Sequence, residues 1–155
     1  MSLFDWHTMN GWALASVDFD GHMKRWTHPE LFGVVMTWRD DCYQSGCESY
    51  WMTYNARGYN GRSVGGDGSP RENGRPERCA RSAAHRFRLW AECERNERAR
   101  YEAMLARPRL QIVSAAVFGY QDHHVGMYGC QQSPDASAEW IAECERLAGV
   151  LKKMK

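Results

Sequence analysis

No stretch of the chain approaches the roughly 18 consecutive apolar residues that a membrane-spanning helix needs, so no membrane partner is expected. Net charge is almost lacking too: 20 Lys and Arg against 19 Asp and Glu leave +1. That balance excludes a uniformly basic chain and a supercharged acidic mimic of DNA. Catalytic signatures are absent. There is no G-x-S-x-G nucleophile turn, no Walker loop and no G-x-G-x-x-G following a strand. The glycines at Gly61, Gly65, Gly66 and Gly68 lack the Lys-Ser/Thr of a phosphate loop. The reading therefore leans away from an enzyme and expects no cofactor. The first residues, Met1-Ser-Leu-Phe-Asp-Trp-His, have neither the positive region nor the apolar core of a secretory signal, so a cytoplasmic location is expected. In a reducing compartment the six cysteines (Cys42, Cys47, Cys79, Cys93, Cys130 and Cys144) read as free thiols rather than a disulfide scaffold.

What is present describes a globular protein. At 155 residues, 43% hydrophobic and 25% charged, residues 1–155 read as a single domain. Trp12 to Phe19 alternates like a strand, Asp20-Gly21 signals a hairpin, and His22 to Thr27 returns. Gly33 to Arg39 and Ser49 to Asn55 alternate again around a loop at 40–47, predicting a four-stranded antiparallel meander. Residues 58–76 are rich in Gly and Arg and read as a flexible loop. Over residues 77–107 the spacing predicts a long helix, with Pro76 suited to its first turn, Pro108 to its stop, and Ala80, Ala83, Ala84, Phe87, Trp90, Ala91, Tyr101 and Leu105 on one face. Glu94 and Arg98 interrupt that stripe and are expected to pair as a solvated i, i+4 couple at the core margin. Leu110 to Tyr120 reads as a central strand, followed by a turn at 121–124 and a short return over Val125 to Tyr128. Ser133-Pro134-Asp135 opens a final helix with Trp140, Cys144, Leu147, Leu151 and Met154 as its stripe. The fold expected is α+β: an antiparallel sheet of about five or six strands packed by one long central helix and one C-terminal helix.

The near-zero net charge hides a segregation. Residues 1–56 carry 3 basic and 7 acidic side chains, residues 57–109 carry 13 and 7, and residues 110–155 carry 4 and 5. All 13 cations of the middle segment are Arg, whose planar fork suits phosphate, carboxylate and aromatic partners. Arg62, Arg71, Arg75 and Arg78 lead into the helix, where Arg81, Arg88 and Arg95 recur every seven residues. This set is the candidate partner-binding surface. The bland alternative is a solvated face balanced by Glu77, Glu92, Glu94, Glu97 and Glu102.

Metal chemistry has one candidate. His28-Pro29-Glu30 followed by Cys42 and Cys47 weakly resembles the H-x-E…P-C-x-x-C pattern of the zinc deaminases. The resemblance implies zinc held by His28, Cys42 and Cys47, with Glu30 moving the proton. No Pro precedes Cys42, and the cysteines are too far apart for the pattern, so unligated thiols are the expectation. His123 and His124 share a turn and offer an acid–base pair, against the simpler reading of a polar surface turn.

Together these features predict a non-enzymatic, intracellular macromolecule-binding protein. Its partner is expected to be a protein or nucleoprotein complex, with direct nucleic-acid binding as an alternative and a small zinc enzyme as another. A motif-free, Arg- and Trp-rich chain of this size resembles, at the level of class only, the inhibitors by which phages and mobile elements block host complexes, anti-CRISPR proteins among them.

Overall fold

Strict alternation in the N-terminal third places successive side chains on opposite faces, so each strand can bury one face and wet the other. The computed structural model describes residues 3–41, 47–67, 74–106 and 134–155. Helix α1 spans Leu3–Met9. Strands β1 Ala13–Asp18, β2 Met23–Thr27, β3 Val34–Asp41, β4 Cys47–Tyr54 and β5 Arg62–Asp67 follow, then helices α2 Pro76–Leu105 and α3 Pro134–Lys152. The strands form one antiparallel sheet in the order β1-β2-β3-β4-β5. This is the expected α+β class: a meander sheet with one long helix and one C-terminal helix. The expected strands at 110–120 and 125–128 and the turn at 121–124 lie outside the described residues. The chain forms two compact units, Met1–Phe87 with Arg146–Lys155, and Arg88–Glu145.

In the first unit the register sets Trp26 opposite Met36, Met36 opposite Met52, and Val34 opposite Tyr54. All five are buried, so one face of the sheet is a continuous apolar floor. Helix α1, which the sequence reading had not anticipated, covers its β2 side. There His7 is buried and stacks on Trp26 with ring centroids 4.0 Å apart. Tyr50 packs beside them, and burial, followed by the nearby Glu48 carboxylate, pushes its hydroxyl well above the usual range. The C-terminal residues close the same side. The Trp12 indole N–H donates to Met154 Sδ at 3.3 Å, and Asn10 and Lys155 exchange two hydrogen bonds at 3.1 Å.

Strand β5 corrects the expectation of a loop throughout 58–76. Its sequence, Arg62-Ser-Val-Gly-Gly-Asp67, holds a single large apolar residue, so no alternation is visible. Two of its features have a tertiary cause. A register shift near Met52 leaves Val64 as the extra residue, buried. Gly65 carries the backbone of α2: a Cβ there would lie 2.7 Å from the Ala83 nitrogen and 2.9 Å from the Cys79 oxygen. Only glycine allows that approach. Alanines on α2 serve the same closeness from the helix side, and Ala80, Ala83 and Ala84 are all buried along with Phe87.

In the second unit Trp90 and Trp140 pack with centroids 5.9 Å apart, and Cys144 is fully buried. Glu94 lies on this apolar side and is only 2% exposed. It does not form the expected surface pair with Arg98. Its carboxylate accepts a hydrogen bond from the Ser137 hydroxyl at 2.6 Å, while Arg98 donates to Glu102 at 3.2 Å. The stripe's phase carries Glu94 inward, and a hydroxyl from α3 supplies part of what water would have supplied. Tyr101, assigned to the same buried face, is 49% exposed.

Candidate partner-binding surface

Pro76 opens α2 where a missing backbone N–H costs nothing. The helix then turns Ala80, Ala83, Ala84 and Phe87 toward the sheet. Residues three or four apart share a face, so Arg78, Arg81 and His85 line up on a different side of the same helix, and all three are exposed. Arg75, one residue ahead of the helix, is exposed, as is Arg62 on β5. The first unit therefore carries Arg62, Arg75, Arg78 and Arg81 of the expected set. Arg88 and Arg95 belong to the second unit and are exposed there. Arg71 lies outside the described residues.

Their electrostatic surroundings differ. Toward the end of α2 the arginines have carboxylate partners: Arg95 pairs with Glu145, Arg98 with Glu102, and Arg100 with Glu97. At the start of the helix Arg81, Arg86 and Arg88 have no ion pair among the described residues. Of the acids invoked to balance the face, Glu97 and Glu102 pair with later arginines and Glu94 is withdrawn into the interior. Helical spacing offered Arg98 two acids four residues away, and the pair expected from sequence was Glu94, whereas the structure uses Glu102. The link from Arg95 to Glu145 joins residues far apart in sequence and left no local sign.

Of the candidate metal ligands, only the His28 side chain is described. His28 is buried, its Nε2 lies 2.9 Å from the Asn10 carbonyl, and its Nδ1 accepts from the Glu30 N–H at 3.1 Å. That pattern is a neutral imidazole protonated on Nε2 and used on both sides to hold the turn after β2. Zinc ligation there requires breaking one of these bonds. Cys42 and the His123-His124 turn lie outside the described residues. Among the described residues no three His, Cys, Asp or Glu side chains converge as a metal site. Cys79, Cys93 and Cys144 form no disulfide among the described residues.

Sequence reasoning missed one feature. The sheet face opposite the buried floor holds an open groove of about 680 Å³. Thr27, Thr37, Trp51 and Thr53 line it, Arg25 among its polar residues, and Phe32, 77% exposed, stands at its rim. The signal was the alternation itself, since these strand residues are the out-facing members of β2, β3 and β4. Arg25 is held there by Asp18, whose Oδ2 accepts from Nη1 at 2.5 Å. No helix among the described residues is long and apolar enough to cross a membrane. No protein-family model matches the chain, and no curated protein or solved structure matches it either.

Proposed function

We propose that the chain is a non-enzymatic macromolecule-binding protein that docks an acidic protein or nucleoprotein surface on the arginines at the start of α2. The supporting observation is the uneven pairing of those arginines. Arg81 is exposed and has no carboxylate partner among the described residues, whereas Arg95, Arg98 and Arg100 do. The Arg81 guanidinium, left in this state, meets a carboxylate or phosphate surface without first giving up an internal ion pair. The mechanism is steric occlusion in the cytoplasm: the bound surface is no longer available to its usual ligand. In profile this resembles the phage and mobile-element inhibitors of host complexes, at the level of class.

The test is fluorescence anisotropy of labelled polyglutamate and of labelled duplex DNA across a salt series. Docking to an acidic surface predicts binding of polyglutamate that weakens with salt and weakens further in Arg78→Ala/Arg81→Ala. Direct nucleic-acid binding instead predicts a DNA affinity whose log–log salt slope falls by about 1 for each phosphate-contacting Arg removed. If neither probe binds at low salt, or both bind the double variant as tightly as the parent, the reading is wrong.

A further inference from the structure

The strand β1 has one neighbour, β2, and its other edge carries no strand among the described residues. Along that edge Leu14 is 51% exposed, Val17 50%, and Phe19, just beyond the strand, 72%. Sheets commonly protect such an edge with lysine, proline or an inward charge. Between Ala13 and Val17 there is none of these, the bulge at Ala15 being the one guard within the strand, and Asp18, the first charge, is already bonded to Arg25.

The register irregularity in β1 gives this edge a specific symmetry. Leu14 lies opposite Trp26 and Val17 opposite Lys24, with the shift falling between Leu14 and Ser16. In a regular strand, residues three apart face opposite ways. Trp26 and Lys24 are two apart and share a face, so the extra residue Ala15 brings Leu14 and Val17 to one face as well. Backbone N–H and C=O groups alternate in step with side chains, so Leu14 and Val17 also direct theirs to the same edge. An antiparallel pair needs opposed residues to be alike in just these two respects. A two-fold axis perpendicular to the sheet, passing between Ala15 and Ser16, satisfies both. It sets Leu14 of one copy opposite Val17 of the other, twice, and Ala13 opposite Asp18. Four apolar side chains then meet on one face, and no like charges are opposed. The strand is complementary to itself about its own irregularity, which is the condition for an isologous interface.

We infer that the chain pairs with a second copy of itself through β1, joining two five-stranded sheets edge to edge. A pair of six-residue strands falls below the roughly 1,200 Å² typical of stable interfaces, so the dimer dissociates on dilution. Sedimentation of the wild-type chain from about 1 µM to about 1 mM reads this as a mass rising from 17.9 kDa toward twice that value. Leu14→Lys and Val17→Glu, both at exposed positions, each keep the wild-type circular dichroism and stay monomeric. Mixing the two variants restores association, because the inferred register sets the introduced lysine of one copy against the introduced glutamate of the other and leaves one Leu–Val contact intact. A wild-type chain monomeric throughout the range overturns the inference. So does a dimer that survives either substitution, or a mixture no heavier than its components.

Discussion

Substituting Gly65 by Ala tests the seating of α2 on the sheet. The added methyl would lie 2.7 Å from the Ala83 nitrogen, 2.9 Å from the Cys79 oxygen and 3.0 Å from the Ala83 Cα. All three are backbone atoms, so no side-chain rotation relieves the contact. Either α2 lifts from β5 or the strand bends. Overpacking of this kind costs about 1–3 kcal/mol, and a rigid helix backbone puts the cost near the top of that range. For a chain of this size, the melting temperature falls by roughly 4–12 °C. Gly66 is the control. A Cβ there would come no nearer than 3.7 Å to any atom, and the residue is exposed. Gly66→Ala is therefore neutral or stabilising by up to about 1 kcal/mol, since it removes freedom mainly from the unfolded chain. Urea unfolding followed by circular dichroism measures both. Equal stability of the two variants would refute the close approach of α2 to β5, and with it the reason for the glycine.

Three further perturbations have expected outcomes. Ser137→Ala removes the hydrogen bond to the buried Glu94 carboxylate and lowers stability by about 1.5–3 kcal/mol in urea titration. For Tyr50, burial raises the folded-state pKa above the usual 10.0, so above that pH the unfolded chain loses a proton that the folded chain keeps. Its contribution is fully present below about pH 10 and is lost as pH rises further; Tyr50→Phe flattens that part of the alkaline stability curve. His28→Ala orphans the Asn10 carbonyl and the Glu30 N–H, costing about 2 kcal/mol or more by thermal unfolding. Zinc added to the wild-type chain should give no compensating rise, and a stoichiometric zinc signal lost in His28→Ala would favour the metal reading instead.

The elements that were readable share a cause. Strands β2 to β4 bury one face and wet the other, so their alternation records the fold. Helices α2 and α3 do the same with a 3.6-residue stripe, which is why Phe87, Trp90, Trp140 and Cys144 lie where periodicity puts them. What was hidden depended on contacts distant in sequence. Nothing in Val64-Gly65-Gly66 marks a strand until a helix rests on it. Glu94 looks like a surface acid until Ser137, 43 residues away, meets its carboxylate. Helix α1, Leu3–Met9, is too short to show a period, and aromatic packing on Trp26 accounts for its buried face. The arginines were visible from composition. Which of them carry acid partners was not, because Arg95 pairs with Glu145 on another helix.

The central claim is that Arg81, early in α2, binds and the late, paired arginines do not. Charge reversal at one of each decides it. Anisotropy of labelled polyglutamate is measured at low salt for Arg81→Glu and for Arg98→Glu. Arg81→Glu is expected to weaken binding by about tenfold, equivalent to roughly 1.4 kcal/mol, with Arg98→Glu within about twofold of the parent. Equal losses in the two variants, or a larger loss in Arg98→Glu, would contradict the account.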